Sequence, residues 1–127
     1  MRCERLDVWK RACRLSVEVY QHFEDSKAFS FKDQITRSAL SIASNIAEGM
    51  EKDSDKEKIR YIEIARGSSA ELATQVYIGI EIEKIDRTKG FAWIREIDEL
   101  AKMLTSLKKS IAQHLALNAQ RSEKNHA

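Results

Sequence analysis

The chain has 127 residues, 43% of them hydrophobic and 33% charged, with 22 Lys and Arg against 20 Asp and Glu and a formal net charge of +2. That length fits one domain whose core needs no disulfide or metal staple, and the composition is globular, not disordered. So small a net charge argues for nucleic acid only if it is unevenly distributed. No apolar run approaches the roughly 20 residues of a membrane span, and charges stand among the first ten residues where a secretory leader would carry its apolar stretch. A cytoplasmic protein without membrane partners is expected.

There is no proline and there are only four glycines, so little interrupts helical hydrogen bonding. The first helix is expected over residues 6–23. Leu6, Trp9, Cys13, Val17 and Tyr20 form one apolar stripe, and Val8, Ala12, Leu15 and Val19 form a second beside it. Asp7, Lys10, Arg11, Arg14, Glu18 and Gln21 make the polar face. Two apolar stripes are more than a surface helix needs and leave area for a neighbouring subunit. Cys3 and Cys13 would lie about 15 Å apart along one helix, too far for a disulfide. Both are read as free thiols, with Cys13 a small core residue.

A second helix is expected to run from a Ser30 cap, with Asp33 three residues on, to about Met50, with Ile35, Ala39, Ile42 and Ile46 inward. Gly49 suits its end. Gln34, Arg37, Ser38, Ser41, Asn45 and Glu48 recur on another side, a mixture of small hydroxyls and isolated charges unlike an ordinary solvent face. Ser54 with Glu57 is a capping box that opens a third helix over residues 55–84, apolar at Ile59, Ile62, Leu72, Ala73, Val76 and Ile80. Its middle, residues 65–70, is a run of small side chains around Arg66. Gly67 there costs about 1 kcal/mol relative to Ala, which implies that another helix approaches closely. Arg37, Asn45 and Glu48 with Arg66 and Ser68 are therefore expected to form a partly buried polar network at a helix or subunit contact.

After a connection over residues 85–90, Trp93, Ile97, Leu100, Leu104, Leu107, Ile111 and Leu115 form a bundle-type seam. Four helices with short connections predict an all-α, antiparallel up-down-up-down four-helix bundle over residues 1–118, followed by a flexible polar tail over residues 119–127. In such a bundle both chain ends share a pole. Arg2, Arg5, Lys10, Arg11 and Arg14 would then meet Lys108 and Lys109, with Arg121 and Lys124 beyond, in one basic cluster able to bind phosphates of RNA or DNA.

Catalytic chemistry is not indicated. The only Glu-x-x-His, Glu123 to His126, stands in the expected tail, so the paired Glu-x-x-His motifs of a di-metal bundle are missing. No Gly-rich phosphate loop, Cys-x-x-Cys pair or nucleophile elbow is present, and a carboxylate such as Glu48 or Glu71 near Arg37 or Arg66 reads as a paired structural charge. No metal or cofactor is expected.

Three segments together resemble the 23S rRNA intervening-sequence protein family, also called the four helix bundle protein family. They are Leu-Asp-Val-Trp-Lys-Arg-Ala-Cys-Arg-Leu at 6–15, Gln-Ile-Thr-Arg-Ser-Ala-Leu-Ser-Ile-Ala-Ser-Asn-Ile-Ala-Glu-Gly at 34–49, and Tyr-Ile-Glu-Ile-Ala-Arg-Gly-Ser-Ser-Ala-Glu-Leu at 61–72. The resemblance spans about residues 5–115. The chain departs from the pattern in its first loop, where Phe23 is followed by Glu24 and not proline. It departs again after the third helix, where Glu83, Lys84 and Ile85 stand for the family's Gly-Tyr-Ile. The resemblance implies a ring-like homopentamer, some of whose relatives are encoded within intervening sequences of 23S rRNA genes. A related branch, the accessory variability proteins of diversity-generating retroelements, binds nucleic acid and a reverse transcriptase. The function implied is non-enzymatic nucleic-acid association, with a protein-interaction scaffold as the alternative.

Overall fold

The computed structural model describes residues 1–126, without the side chain of His126. The expected tail therefore ends, at Ala127, outside the described residues. A single 3₁₀ turn, Arg2–Arg5, precedes four helices: α1 (Asp7–Phe23), α2 (Phe29–Met50), α3 (Asp55–Glu81) and α4 (Arg87–His126). Among the described residues the secondary structure is entirely helical, and no helix is long and apolar enough to cross a membrane.

Helix ends follow local chemistry. Ser54 caps α3 as its spacing predicts, its Oγ accepting from the Glu57 backbone N–H at 3.4 Å. The start of α2 differs from expectation. It begins at Phe29, before Ser30, and no side chain caps it. Instead Ser26 Oγ accepts from the Ala28 N–H at 3.2 Å, and Lys32 Nζ donates to the Glu24 carbonyl at 3.0 Å, tying the turn.

α3 stops at Glu81, three residues short of the expected end. Glu83 adopts a left-handed backbone (φ 59°), and the Lys84 and Ile85 N–H groups fold back onto the Gly79 carbonyl at 2.9 and 3.1 Å. This is the position at which the family pattern has glycine, the residue that takes a left-handed conformation without steric cost. α4 in turn starts earlier than expected, because Asp86 Oδ2 accepts from the Lys89 N–H at 2.9 Å and caps it. At its far end α4 remains helical to His126, through residues 119–126. No glycine or proline lies between Phe91 and Ala127 to stop it, and extending a formed helix is far easier than nucleating one.

The fully buried core is drawn from all four helices, with Val19 and Phe23 from α1, Ile35, Ile42 and Ile46 from α2, Ile62, Leu72 and Val76 from α3, and Leu100 and Leu104 from α4. Of the two α1 stripes, Val8, Ala12, Leu15 and Val19 are inside, and Phe23 at the end of the helix is buried with them. Leu6, Trp9 and Cys13 are half-buried, and Val17 and Tyr20 are exposed. Cys3 is buried and both cysteines are free thiols. Burial pushes each thiol upward in pKa.

α2 packs most extensively on α3, and α3 on α4, while α1 touches α4 least. Gly49 lies inside α2, and a Cβ there would stand 2.6 Å from Tyr61 Cβ. The glycine is thus what lets α3 approach. Gly67 contradicts its expected role, since nothing of its own chain lies within 4 Å of where its Cβ would be; it faces outward.

Gly49→Ala should therefore destabilise the chain by roughly 1–3 kcal/mol through overpacking. Glu83→Gly should stabilise it by about 1 kcal/mol by relieving the left-handed backbone. Thermal unfolding of both variants checks the pair; a Gly49→Ala protein as stable as the parent would contradict the close contact.

Candidate nucleic-acid interface

The seven basic residues expected to share a pole do not form a free basic cluster. Arg2 clamps the connection between α2 and α3: Nη1 donates to the carbonyls of Met50 (3.3 Å) and Lys52 (3.1 Å), and Nη2 to Asp53 Oδ1 (3.1 Å). Arg11 makes a two-pronged pair with Glu96 of α4, its Nε donating to Oε2 at 3.0 Å and Nη2 to Oε1. Lys108 pairs with Glu63 of α3 at 3.1 Å. Arg5, Lys10, Arg14 and Lys109 remain exposed and in no ion pair among the described residues.

Arg2 also shows why the pole is less basic than the chain ends alone suggest. It lies against residues 48–58, which contribute Glu48, Glu51, Asp53, Asp55 and Glu57 against Lys52, Lys56 and Lys58. Asp55 accepts from, or pairs with, His114 Nδ1 at 2.6 Å, so this acidic segment adjoins the late turns of α4.

The paired carboxylates carry the electrostatic signature of these contacts. Hydrogen bonding from Arg11, opposed by partial desolvation, holds the Glu96 carboxyl below the usual glutamate range. Glu63, which accepts from Arg66 (2.7 Å) and lies by Lys108, is lowered for the same reason.

Of the expected polar network, one strand exists within the chain. Ser68 Oγ donates to the Ile64 carbonyl (3.1 Å) and so accepts from Ser41 Oγ (2.8 Å), which in turn accepts from Asn45 Nδ2 (3.0 Å). This relay links α2 to α3. The other three residues stand outside it. Arg66 turns to Glu63 one helical turn away, and Arg37 and Glu48 are exposed with no side-chain hydrogen bond among the described residues. Within one chain, then, Glu48 and Arg37 are surface charges and not members of a buried network.

Two grooves flank α1. One of about 780 Å³ separates it from α4, where Arg14 and Lys89 mingle with Glu18, Asp86 and Glu96 beside Trp93. His22 closes its end, with Nε2 2.8 Å from the Lys84 carbonyl and its ring edge-on to Trp93. Among the described residues no three His, Cys, Asp or Glu side chains gather as a metal site would require. The other groove lies between α1 and α2 and is more apolar.

Residues 4–106 match the model of the family described as 23S rRNA-intervening sequence protein. The chain belongs to that family. A crystal structure of a protein of unknown function from the S23 ribosomal protein family of Bacteroides thetaiotaomicron superposes with a TM-score of 0.75 at 26% identity, covering 80% of this chain and 98% of that one. No curated protein matches.

As a 23S rRNA-intervening sequence protein, the chain carries Arg2 and the last two turns of its packed α4 outside the matched residues, together with the helical arm beyond them. Sequence spacing made Glu63 and Arg66 findable as a pair three residues apart on a helix. Glu96 was missed, because 85 residues separate it from Arg11 and only the packing of α1 on α4 joins them.

The Arg11–Glu96 pair is 32% and 27% exposed, so solvent screening limits it to about 1 kcal/mol. Because the Glu96 pKa is depressed in the folded chain, that contribution is present above the ordinary glutamate range and disappears as pH falls through the lowered value. Glu96→Gln should thus destabilise the protein by about this amount at pH 7 and by less at about pH 3, below the ordinary glutamate range, where part of that contribution has been lost. Denaturant melts at the two pH values test this, and an equal deficit at both would contradict it.

Proposed function

We propose that the protein is a non-enzymatic, cytoplasmic, nucleic-acid-associated protein, working as a homopentameric ring of up-down-up-down bundles that take the phosphate backbone of RNA or DNA on a basic face. The observation that carries this reading is the set of four exposed cations left over after internal pairing: Arg5, Lys10, Arg14 and Lys109. Three belong to the first fourteen residues, and Arg11 between them packs on α4, which carries Lys109 further along. A ring would repeat the set around its axis, so that even four cations per chain would amount to a continuous rim for phosphates and act through counterion release.

Supporting the antiparallel arrangement, the chain start meets the α2–α3 connection through Arg2, and the end of α1 meets the end of α3 through His22 and Lys84. The family is named for intervening sequences of 23S rRNA, and the resemblance to accessory variability proteins points the same way. Of the seven basic residues near the chain ends, Arg2, Arg11 and Lys108 hold the fold together and serve phosphate binding only indirectly. Glu48 and Arg37, exposed in one chain, are assigned to contacts between subunits.

A protein scaffold is the second reading, favoured by Tyr77 and Ile78, exposed on the last turn of α3, and by Ile82, exposed just past it. Replacing Lys10, Arg14 and Lys109 by Glu should preserve helix content while weakening RNA or DNA binding. For every phosphate that is no longer neutralised, the slope of log K against log salt should become shallower by about 0.9 on duplex DNA. Parent protein that binds neither nucleic acid at about 50 mM salt, where binding to phosphates is strongest, would overturn the proposal and favour the scaffold.

A further inference from the structure

The groove between α1 and α2 has a volume of about 630 Å³ and exposes three large apolar side chains: Val17 (53%), Tyr20 (56%) and Leu40 (58%). Isolated exposed apolar residues need no explanation, but a cluster from two helices marks a contact. The groove has a direction. On α1, Val17, Tyr20 and Glu24 follow one another on a single face, and on α2, Leu40, Arg37 and Asp33 do so in the reverse sense. Both walls are therefore apolar at one end and acidic at the other, next to the turn that joins them. Each runs seven residues, about 10.5 Å of helix.

The arm of α4 has the complementary pattern. Beyond the His114–Asp55 contact, residues 116–126 continue the helix with every described side chain exposed. Leu117 (53% exposed), Arg121 and Lys124 stand at spacings of four and three on one face, again apolar then basic over seven residues. The arm leaves the molecule at the end where α3 begins, whereas the groove's acidic end adjoins the α1–α2 turn at the other. A chain's arm cannot reach its own groove. The arm also lies beyond residues 4–106, the part matched by the family model.

We propose that the α4 arm of one copy docks in the α1–α2 groove of a second copy, running parallel to α1, with Leu117 against Val17, Tyr20 and Leu40 and with Arg121 and Lys124 toward Glu24 and Asp33. Arg37 lies on the same wall, so the groove holds an excess of one carboxylate and Glu123 on the arm's flank offsets the guanidinium. The shared length, the shared order of apolar and charged groups, and the opposite sign of charge select a second copy over an unrelated partner. The inference rests on the self-association of the proposed function and adds to it the segment and surface that meet.

The test mixes two full-length chains, both Cys13→Ser, one carrying Leu40→Cys and the other Leu117→Cys, and oxidises them. The expected result is a disulfide heterodimer formed in several-fold excess over either homodimer. Glu24→Lys with Asp33→Lys on the first chain should suppress it, and Arg121→Glu with Lys124→Glu on the second should restore it; all four side chains are exposed, so the fold tolerates the changes. Oligomeric parent protein whose cysteine variants give no preferred heterodimer would overturn the docking while leaving self-association intact. Parent protein with the mass of one chain would overturn both.

Discussion

Everything in this fold depends on how closely α2 and α3 approach. They meet through small residues: a Cβ on Gly49 of α2 would run into Tyr61 of α3, and Ser41 of α2 bonds to Ser68 of α3. The buried serines are tolerated because their hydroxyls have partners close by. Ser38 bonds to the Gln34 carbonyl and Ser69 to that of Arg66, while Ser68 joins the relay through Ser41 to Asn45. A buried hydroxyl without such a partner would cost about 1–3 kcal/mol. With the two backbones drawn together, Ile42, Ile46, Ile62 and Leu72 are fully buried in one core with Leu100 and Leu104 of α4 and Val19 and Phe23 of α1.

That arrangement decides which charges are available for anything else. α1 is held by its buried apolar face, Val8, Ala12, Leu15, Val19 and Phe23, and polar contacts tie its margins: Arg2, in the turn before it, on the α2–α3 connection, Arg11 on Glu96, and His22 on the Lys84 carbonyl. These contacts consume cations that would otherwise belong to a basic surface. The connection itself brings acidic residues to the same end. What remains for a polyanion is smaller and more localised than the distribution along the chain suggests, and repetition in a ring is what would make it effective. The light α1–α4 contact also leaves open grooves on both sides of α1, which is where unsatisfied apolar surface is found.

Much of the architecture was legible in the sequence, because helical periodicity and caps are local. The Ser54–Glu57 box and the seam from Trp93 to Leu115 identify their helices directly. The end of α3 was not legible, since nothing in Glu83 announces a left-handed backbone; only the contrast with a family glycine hints at it. Gly67 misled for a related reason. A glycine amid small residues signals close approach, but which of Gly49 and Gly67 is approached depends on the rotation of the helix, and it is Gly49 that meets Tyr61. Among candidate site residues, Asn45 and Ser68 are joined through Ser41 by hydrogen bonds between α2 and α3. The sequence could not foresee the internal pairing of Arg2, Arg11 and Lys108, which requires partners 45 or more residues away.

Native-state hydrogen exchange tests the central place of the α2–α3 contact most directly. Amides of residues 39–46 and 62–72 should be the slowest in the chain and exchange only with global unfolding, whereas those of α1 should exchange through smaller openings. Maximal protection in α1, with α2 and α3 exchanging first, would contradict the account.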